Sequence, residues 1–349
     1  MNKNQQDNRV ERRLPAEWEE QSGVMIAWPH ENTDWYADIS NVLKVYVKIA
    51  ESILQYQKLL VVCKDEKDVK VKLKNANQKN LITVSIPTND TWARDFGPIT
   101  VLENSNPMLL DFGFNGWGQK FPAHLDNKVN SCLMKHQVFQ KNVQYQDENN
   151  FILEGGSIDT DGRGVLLTTT RCFLSKKRNP DMDSKSIEKV LKTKLGVEKL
   201  LWLNNGYLEG DDTDSHVDTL ARFCNENTIA FVYCDDKNDS HYGELKEMEN
   251  EIKKFREKNG FPYSLIRLPM ADPVYDRKGN RLPASYANFL IINKAVLVPN
   301  YGTEKDNLVL EIFKDIFPKK EIIGIDSLPL IGQHGAIHCI TMQLPRGVL

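Results

Sequence analysis

The sequence has no run of about 18 consecutive apolar residues, the length that a membrane-spanning helix requires. It also has no strong excess of charge of either sign, because 45 basic residues against 48 acidic ones give a formal net charge of -3. A chain so close to neutral carries no overall field that would attract nucleic acid or an acidic membrane. We therefore expect no nucleic-acid partner and no membrane. The polar start lacks the apolar core of a secretion signal, which favours a cytoplasmic location.

Cysteine is sparse, and its spacing matches no metal or disulfide motif. The six cysteines are scattered from Cys63 to Cys339 without a C-x-x-C pair, which is neither a disulfide framework nor a zinc-finger pattern. The sequence also lacks G-x-x-x-x-G-K-[ST], G-x-S-x-G and H-E-x-x-H, so phosphate loops, serine hydrolases and zinc proteases are not indicated. We expect free thiols, no metal ion and no cofactor.

Stretches typical of strands and of helices alternate along the 349 residues, which indicates an α/β architecture. At about 150 residues per domain, the length alone suggests two domains. However, no Pro/Gly/Ser-rich linker divides the chain, so we expect one domain over residues 1–349, with residues 1–11 as a flexible tail. Predicted strands cover 58–63, 81–86, 164–169, 199–204, 228–234, 287–300 and 321–325, and predicted helices cover 36–56, 184–195, 242–258 and 304–317.

Five polar segments, most of them containing glycine, interrupt the apolar runs at similar intervals. The segments are 89–98, 153–162, 209–218, 282–288 and 332–339, and their markers Asp95, Glu154, His216, Asn288 and Cys339 are 51 to 72 residues apart. The segments share almost no sequence identity. A repeat of this length that ends each time in a polar segment is typical of a closed ring of similar blades.

Cys339 is a candidate nucleophile close to the C-terminus. It follows His338 directly, and a base or a bound cation beside a thiol lowers its pKa and generates the reactive thiolate. The alternative is an inert cysteine buried in a final strand over residues 337–341.

His216 and Asp218 are a candidate acid/base pair. At positions i and i+2 of an extended segment, their side chains point to the same face, so an imidazole and a carboxylate share one site. The alternatives are a pair of metal ligands and a loop-capping aspartate. A metal site would need further ligands, and no second pair has a recognisable spacing.

Two more carboxylates stand in short polar motifs. Asp95 is either an ordinary turn residue before Gly-Pro or, with Trp92 three residues earlier, half of a site for a planar cation. Glu154 precedes two glycines, so it either ends a strand at a tight turn or lies on a backbone that a ligand can approach closely. Further apolar walls, or alternatively core residues, are Phe112, Phe114 and Trp117.

A thiol, an acid/base histidine and several carboxylates form a coherent set if the substrate is a cation that is attacked at carbon. A guanidinium group fits, because it is planar and permanently charged and because its N–H forks match carboxylates in pairs.

At these residues the sequence resembles the agmatine deiminase and bacterial-type peptidylarginine deiminase family of the guanidine-modifying superfamily. The resemblance covers nearly the whole chain. Its motifs are LPAEWEEQSGVMIAWP (14–29), NDTWARDFGP (89–98), LEGGSIDTDGRGVLLTT (153–169), SKKRNP (175–180), GDDTDSHVDTLARF (210–223), ASYANFLI (284–291) and GAIHCITMQLP (335–345).

The resemblance implies a five-bladed α/β propeller, the pentein fold, with pseudo-fivefold symmetry and an active site on the central axis. It further implies that Cys339 is the nucleophile and His216 the general acid/base, while Asp218 and Asp95 hold the guanidinium. Glu154 is then the acid near His216.

Two further details come from the same resemblance. Trp92 matches a wall of the substrate pocket. Relatives usually carry a G-G-G stretch and the ending I-T-Q-Q, whereas this chain has Gln333-His334-Gly335-Ala336 and Met342 at the corresponding places.

Acidic residues before His216 indicate the far end of the substrate. Glu209, Asp211, Asp212 and Asp214 favour a small cationic guanidine that ends in an amine, with Asp212 as the candidate partner of that amine. We therefore expect deimination of agmatine to N-carbamoylputrescine, a reaction of putrescine and polyamine biosynthesis. The alternatives are a peptidylarginine or arginine deiminase, an amidinotransferase and a non-enzymatic cation-binding protein. A homodimer or higher homo-oligomer is a further expectation.

Overall fold

The computed structural model describes residues 11–349, in which helices and mixed sheets alternate in an α/β architecture. The strands are β1 (Arg12–Arg13), β2 (Gln21–Ala27), β3 (Lys58–Cys63), β4 (Leu81–Ser85), β5 (Ile99–Glu103), β6 (Asn106–Gly113), β7 (Gln144–Ile152), β8 (Ile158–Thr160), β9 (Val165–Thr169), β10 (Lys199–Leu203), β11 (Ala221–Asn225), β12 (Thr228–Tyr233), β13 (Ser264–Pro269), β14 (Val274–Tyr275), β15 (Arg281–Leu282), β16 (Leu290–Ile291), β17 (Ala295–Asn300), β18 (Glu321–Asp326) and β19 (Thr341–Pro345). 

The helices between these strands are α1 (Ile39–Leu54), α2 (Glu66–Lys72), α3 (Ala93–Phe96), α4 (Gly116–Gln119), α5 (Val129–Lys135), α6 (Thr170–Phe173), α7 (Ser184–Leu195), α8 (Tyr242–Ile252), α9 (Glu304–Ile316) and α10 (Leu328–Ile331). Single 3-10 turns cover Tyr36–Asp38, Asp126–Lys128, Gly155–Ser157 and Val217–Thr219. Within the described residues, no helix combines the length and the apolar character that crossing a bilayer requires.

One pairing pattern recurs in five sheets of residues 11–349. In each sheet a first strand pairs antiparallel with a second, and the second pairs parallel with a third. The orders are β5-β6-β7 with β1 added beside β5, β8-β9-β10, β11-β12-β13, β16-β17-β18 and β19-β2-β3-β4, and β14 and β15 form a separate ribbon. The number of repeating sheets agrees with the five polar segments.

The last strand closes on the first part of the chain. Strand β19 pairs antiparallel with β2, so that Thr341 lies opposite Ile26 and Gln343 lies opposite Val24. The sheet β19-β2-β3-β4 therefore combines the C-terminal strand with three N-terminal strands. This pairing fixes the C-terminal segment, including the residues just before β19, against the body of the protein.

Helix α7 shows how the sequence sets an element and its ends. The side chain of Asp183 accepts a hydrogen bond from Ser186 N (2.8 Å) and caps the start, and Gly196 with φ of 67° ends the helix in the left-handed conformation. Ile187, Leu191 and Leu195 are buried along one face. The predicted helix 184–195 is confirmed, and the predicted strand 287–300 is corrected to a hairpin of β16 and β17.

The predicted flexible tail 1–11 falls outside the described residues except for Glu11. The backbone carbonyl of Glu11 accepts a hydrogen bond from Asn104 N (2.8 Å), and its own N–H donates to the Asn104 side chain (3.2 Å). The chain is thus held from Glu11 onwards.

Candidate active site

The five polar segments lie where the chain passes from one sheet to the next. Asp95, Glu154, His216, Asn288 and Cys339 each precede the first strand of a sheet, namely β5, β8, β11, β16 and β19. Three short distances join them: His216 Nε2 to Glu154 Oε2 (2.9 Å), His216 Nδ1 to Asp95 Oδ1 (3.6 Å) and Asn288 Nδ2 to Cys339 Sγ (3.2 Å). The folding of five sheets therefore gathers side chains that are far apart in sequence into one buried cluster.

Cys339 lies before the last strand and not inside it. Strand β19 begins at Thr341, so the alternative of a strand over 337–341 is wrong. Its thiol is buried beside Asn288 and 3.9 Å from Asp218 Oδ2. Burial, with the nearby charges of Asp218 and Asp95, raises the pKa of Cys339 well above its ordinary value. The thiol is therefore neutral.

Asp218 lies in the 3-10 turn Val217–Thr219 and His216 precedes that turn as its N-cap, which corrects the predicted extended segment. The carbonyl of His216 accepts hydrogen bonds from Thr219 N (3.3 Å) and Thr219 Oγ1 (3.0 Å), and these bonds close the turn Val217–Thr219. The two side chains nevertheless reach the same site. The His216 ring meets Glu154 and Asp95, while Asp218 faces the other side of the cluster.

The His216 ring lies between two carboxylates. Burial by itself lowers the pKa of His216, but the charge of Asp95 and the bonds to Cys172 and Glu154 outweigh it and raise that pKa well above its ordinary value. The charged imidazolium is therefore the resting form, and it has a proton to give to a leaving group.

Asp95 and Asp218 are buried carboxylates in different environments. Burial raises the pKa of Asp95 to about 6 against the opposing charge of His216, and its oxygens accept from Trp117 Nε1 and Gly156 N, both at 2.9 Å. For Asp218, burial is outweighed by the bond and charge of His338, which lower its pKa. Asp218 Oδ2 is bonded to His338 Nδ1 (2.6 Å), while its buried Oδ1 has no partner among the described residues.

Glu154, Cys172 and His216 form a group whose donor atoms are close enough together to bind a metal ion, and it is the only group of three or more such residues in the described part of the chain. The protein already neutralises Glu154, because Arg178 Nε donates to Glu154 Oε2 at 2.8 Å and both side chains are buried. Although burial opposes it, His216 and Arg178 lower the pKa of Glu154. The ionised Glu154 orients His216, and the expected absence of a metal stays a prediction.

A cavity of about 120 Å³ opens in front of the thiol. It is lined by Asp34, Asp90, Trp92, Asp95, Trp117, Phe121, Asp212, Thr213, Gln333, His334, Gly335 and Cys339. The structure thus brings Trp92, Trp117 and Asp212 to the cavity that contains Asp95 and Cys339. Phe112 and Phe114 do not line it, since Phe112 packs on Phe151 and Phe114 packs behind Trp117.

The two departures from the family pattern fall on opposite sides of Cys339. Gln333 and His334 line the front cavity, and a Cβ at Gly335 would lie 2.2 Å from the Trp92 ring. Met342 lines a separate cavity of about 40 Å³ behind the site. The 333–336 segment therefore shapes the substrate side, and Met342 does not.

Several buried groups of this site are absent from the set of predicted site residues. Arg178 pairs with Glu154 and His338 pairs with Asp218, while Glu17 pairs with both His338 and Arg222. Asp90 lines the front cavity. All five residues stand inside the quoted motifs, but their partners are up to 321 residues away in sequence, so no local pattern indicated the pairing.

Gly156 allows the carboxylates and the imidazole to approach one another. A Cβ there would lie 2.7 Å from His216 Nδ1 and 2.8 Å from Asp95 Oδ1. We expect Gly156→Ala to lower kcat/KM by at least about 100-fold, because the groups must move apart by a fraction of an ångström or more. Steady-state kinetics on the folded variant measures this. Gly243→Ala is the control, since a Cβ there meets nothing within 4 Å, and kcat/KM should not change. Equal activity of Gly156→Ala and wild type would show that the close approach is unimportant.

A buried thiol, an imidazolium and three carboxylates lie close together, and Cys339 and Asp95 among them line one cavity. Such a set of groups suits nucleophilic attack on a cationic group. Residues 13–345 match the family of Porphyromonas-type peptidyl-arginine deiminases. The chain belongs to this family.

Three proteins of known name or structure are similar over nearly the whole length. An agmatine deiminase of Medicago truncatula is 31% identical over 361 residues, covering 95% of this chain and 96% of the plant protein. A C. jejuni agmatine deiminase, solved with substrate bound and a cysteine replaced by serine, is 38% identical with a TM-score of 0.90, covering 99% of this chain and 100% of that one. A Porphyromonas gingivalis structure, named provisionally as an arginine deiminase, is 46% identical with a TM-score of 0.94, covering 97% and 99%.

Proposed function

We propose that this chain is an agmatine deiminase, which hydrolyses agmatine to N-carbamoylputrescine and ammonia. One observation carries the proposal: Asp218 Oδ1 is buried and accepts no hydrogen bond from any described residue, on a carboxylate whose other oxygen lies 3.9 Å from the thiol. A buried carboxylate oxygen without a donor is costly. A guanidinium group supplies N–H donors on two sides, so its binding between Asp218 and Asp95 would satisfy that oxygen. The agmatine deiminases among the relatives support this substrate.

Binding and activation of the thiol are coupled in this proposal. Asp218 and Asp95 accept the N–H groups of the guanidinium, and the rings of Trp92 and Trp117 flank it. The thiol of Cys339 is neutral before binding because burial and two carboxylates disfavour the thiolate. A bound cation reverses the local charge and favours the thiolate, so the thiol releases its proton to solvent. The substrate thus helps to create its own nucleophile.

The first half of the reaction forms a covalent intermediate. The thiolate of Cys339 attacks the central guanidinium carbon and forms a C–S bond. His216 donates its proton to one terminal nitrogen, the C–N bond breaks, and ammonia leaves. An amidino group then remains on Cys339, and His216 is neutral.

The second half is hydrolysis of that intermediate. Neutral His216, oriented by Glu154 at 2.9 Å, takes a proton from water, and the water oxygen attacks the amidino carbon. The C–S bond breaks, the new hydroxyl loses its proton to solvent as the C=O bond forms, the thiolate is restored, and the carbamoylated amine leaves. In both halves of the reaction, Asp218 and Asp95 accept hydrogen bonds from the nitrogens attached to the charged carbon.

Acidic groups at the cavity favour a substrate that ends in an amine. Of the lining residues within the described part of the chain, Asp34, Asp90 and Asp212 are carboxylates outside the guanidinium pair, and none is Lys or Arg. Burial, together with Asp34 and Asp126, raises the pKa of Asp90 to about 7. Burial likewise raises the pKa of Asp212. A terminal ammonium would ionise these groups and pair with them, with Asp212 as our candidate partner.

We expect agmatine to be turned over with a kcat/KM at least about 100-fold higher than free arginine or an arginyl peptide. A free α-carboxylate placed near these aspartates would be repelled. The comparison uses the same enzyme preparation with the three substrates and detects ammonia and the carbamoylated product. Equal or better turnover of arginine would refute the argument from the acidic cavity.

Arginine deimination is the second candidate function, because one basic residue, Lys120, lies close to the aspartates at the cavity. Lys120 Nζ contacts Asp214 Oδ1 (2.9 Å) and the backbone carbonyl of Asp212. If this lysine exchanges its partners for a substrate carboxylate, arginine is accepted and Lys120→Ala lowers its turnover. An amidinotransferase would instead transfer the amidino group to an added amine, which analysis of the product detects.

We propose the remaining features of the protein together. Residues 1–349 form one domain, a five-bladed propeller with its active site on the central axis, which the five repeating sheets and the closing β19–β2 pair support. The enzyme acts in the cytoplasm in putrescine synthesis, needs no cofactor or metal, and binds a small cationic guanidine. It forms a homodimer or larger homo-oligomer, which light scattering of the purified protein tests.

A further inference from the structure

His338, the residue before the nucleophile, is buried between two carboxylates. Its Nδ1 lies 2.6 Å from Asp218 Oδ2, and its Nε2 lies 2.8 Å from Glu17 Oε2. All three side chains are buried, with exposed fractions of 4% or less. The reaction described above uses Asp218 and Cys339 but gives His338 no role.

The two hydrogen bonds determine the charge of this ring. A neutral imidazole donates through one nitrogen and accepts through the other, whereas ionised carboxylates only accept. Glu17 is held ionised by Arg222 Nη2 (3.1 Å) and Arg94 Nη2 (3.4 Å), and its Oε1 accepts from Ile291 N (2.7 Å). With Asp218 ionised as well, both nitrogens of His338 donate, which makes the ring an imidazolium.

Other charged groups around His338 are consistent with that charge. Arg94 Nε donates to the backbone carbonyl of His338 (3.3 Å), and Arg222 also pairs with Asp159 at 3.1 Å. The buried row Asp218–His338–Glu17–Arg222–Asp159 thus alternates in sign, so the imidazolium is compensated on both sides.

Hydrogen bonds from His338 and Asn288 hold the carboxylate of Asp218 in one orientation. Its Oδ2 accepts from His338 and also from Asn288 Nδ2 (3.3 Å), so the carboxylate cannot rotate freely. The other oxygen, Oδ1, has no donor among residues 11–349. We propose that His338 is a positioning residue: as an imidazolium held by Glu17, it keeps Asp218 ionised and presents the free Oδ1 to a guanidinium substrate. The substrate part of this inference rests on the proposed function.

Nitrogen-detected NMR of protein with 15N-labelled histidine tests the charge without any substrate. His338 should carry protons on both ring nitrogens. His241 is an internal control, because it is equally buried but its Nδ1 faces Asp239 (2.7 Å) while its Nε2 accepts from Glu209 N (2.7 Å). His241 should therefore carry one ring proton. A His338 spectrum that resembles that of His241 would overturn the proposal.

Kinetics of His338→Gln test the effect on substrate binding. Glutamine has no charge, so the carboxyl of Asp218 should be protonated at higher pH than in wild type. The acid limb of kcat/KM should move to higher pH, and KM for agmatine should rise at least tenfold, more than kcat falls. His241→Gln, a matched buried histidine outside the site, should leave KM and the pH profile unchanged. A folded His338→Gln enzyme with the wild-type KM and acid limb would overturn the proposal.

Glu17→Gln keeps the test decisive if His338→Gln does not fold. Without the charge of Glu17, His338 should lose one ring proton at a lower pH than in wild type, and an unchanged NMR titration would contradict the proposal. These experiments distinguish a failure of the proposed function from a failure of the role proposed for His338. If wild type neither binds nor converts agmatine, the proposed function is wrong, while the NMR spectrum still decides the protonation of His338.

Discussion

Cys339→Ala is expected to lose deiminase turnover by on the order of 10⁴-fold or more, because the C–S bond of the intermediate can no longer form. Agmatine binding should largely survive, since Asp95 and Asp218 are unchanged and each buried charged contact is worth about 1.5–3 kcal/mol. Steady-state kinetics measures the loss, and titration calorimetry measures the binding. The variant thus separates chemistry from recognition of the guanidinium.

Cys63→Ala is the matched control for this variant. Cys63 is also buried, but it lies in β3, and among the described residues its thiol makes a hydrogen bond only to the carbonyl of Val84 (3.6 Å). Its replacement should cost about 1 kcal/mol in the free energy of unfolding and leave turnover within about twofold. Residual activity of Cys339→Ala comparable with that of Cys63→Ala would exclude Cys339 as the nucleophile.

His216→Ala is expected to lower kcat by about 10²–10⁴-fold, because the same ring serves as acid and then as base. The variant should slow hydrolysis of the intermediate more than its formation. A bound cation assists formation of the Cys339 thiolate, whereas attack by water needs the base directly. Glu154 keeps its ion pair with Arg178 (2.8 Å), so the fold should persist. Rapid-quench kinetics with agmatine should show one fast turnover of ammonia followed by a slow phase. A uniform slowing without this burst would argue against a separate role in the hydrolytic step.

The positions of the main elements could be predicted because local patterns determine them. The apolar spacing and the caps of α7 predict its bounds, and the apolar strands such as β3 and β12 stand out from their surroundings. Other strands could not be found in this way. Strand β7 (QYQDENNFI) is mostly polar, and β11 contains the buried Arg222. A buried arginine is tolerated there because Glu17 and Asp159 neutralise it, and neither partner is close in sequence.

The site could be predicted as a set of residues but not as a geometry. The motifs around Asp95, Glu154, His216 and Cys339 indicated a cationic substrate, and the family resemblance supplied the individual roles. The extended conformation predicted for His216 and Asp218 is wrong, because hydrogen bonds from Thr219 to the His216 carbonyl close a turn there. The relation of His338 to Glu17 depends on folding across 321 residues, which no local pattern contains.

In the proposed mechanism agmatine forms a covalent amidino intermediate on Cys339. Intact-protein mass spectrometry of His216→Ala mixed with agmatine detects this intermediate, with Cys339→Ala/His216→Ala as the control. We expect an added mass equal to agmatine less one ammonia, located on Cys339 by peptide mapping and absent from the double variant. Turnover of agmatine by a protein that stays unmodified throughout, or an adduct on any other residue, would contradict the covalent mechanism.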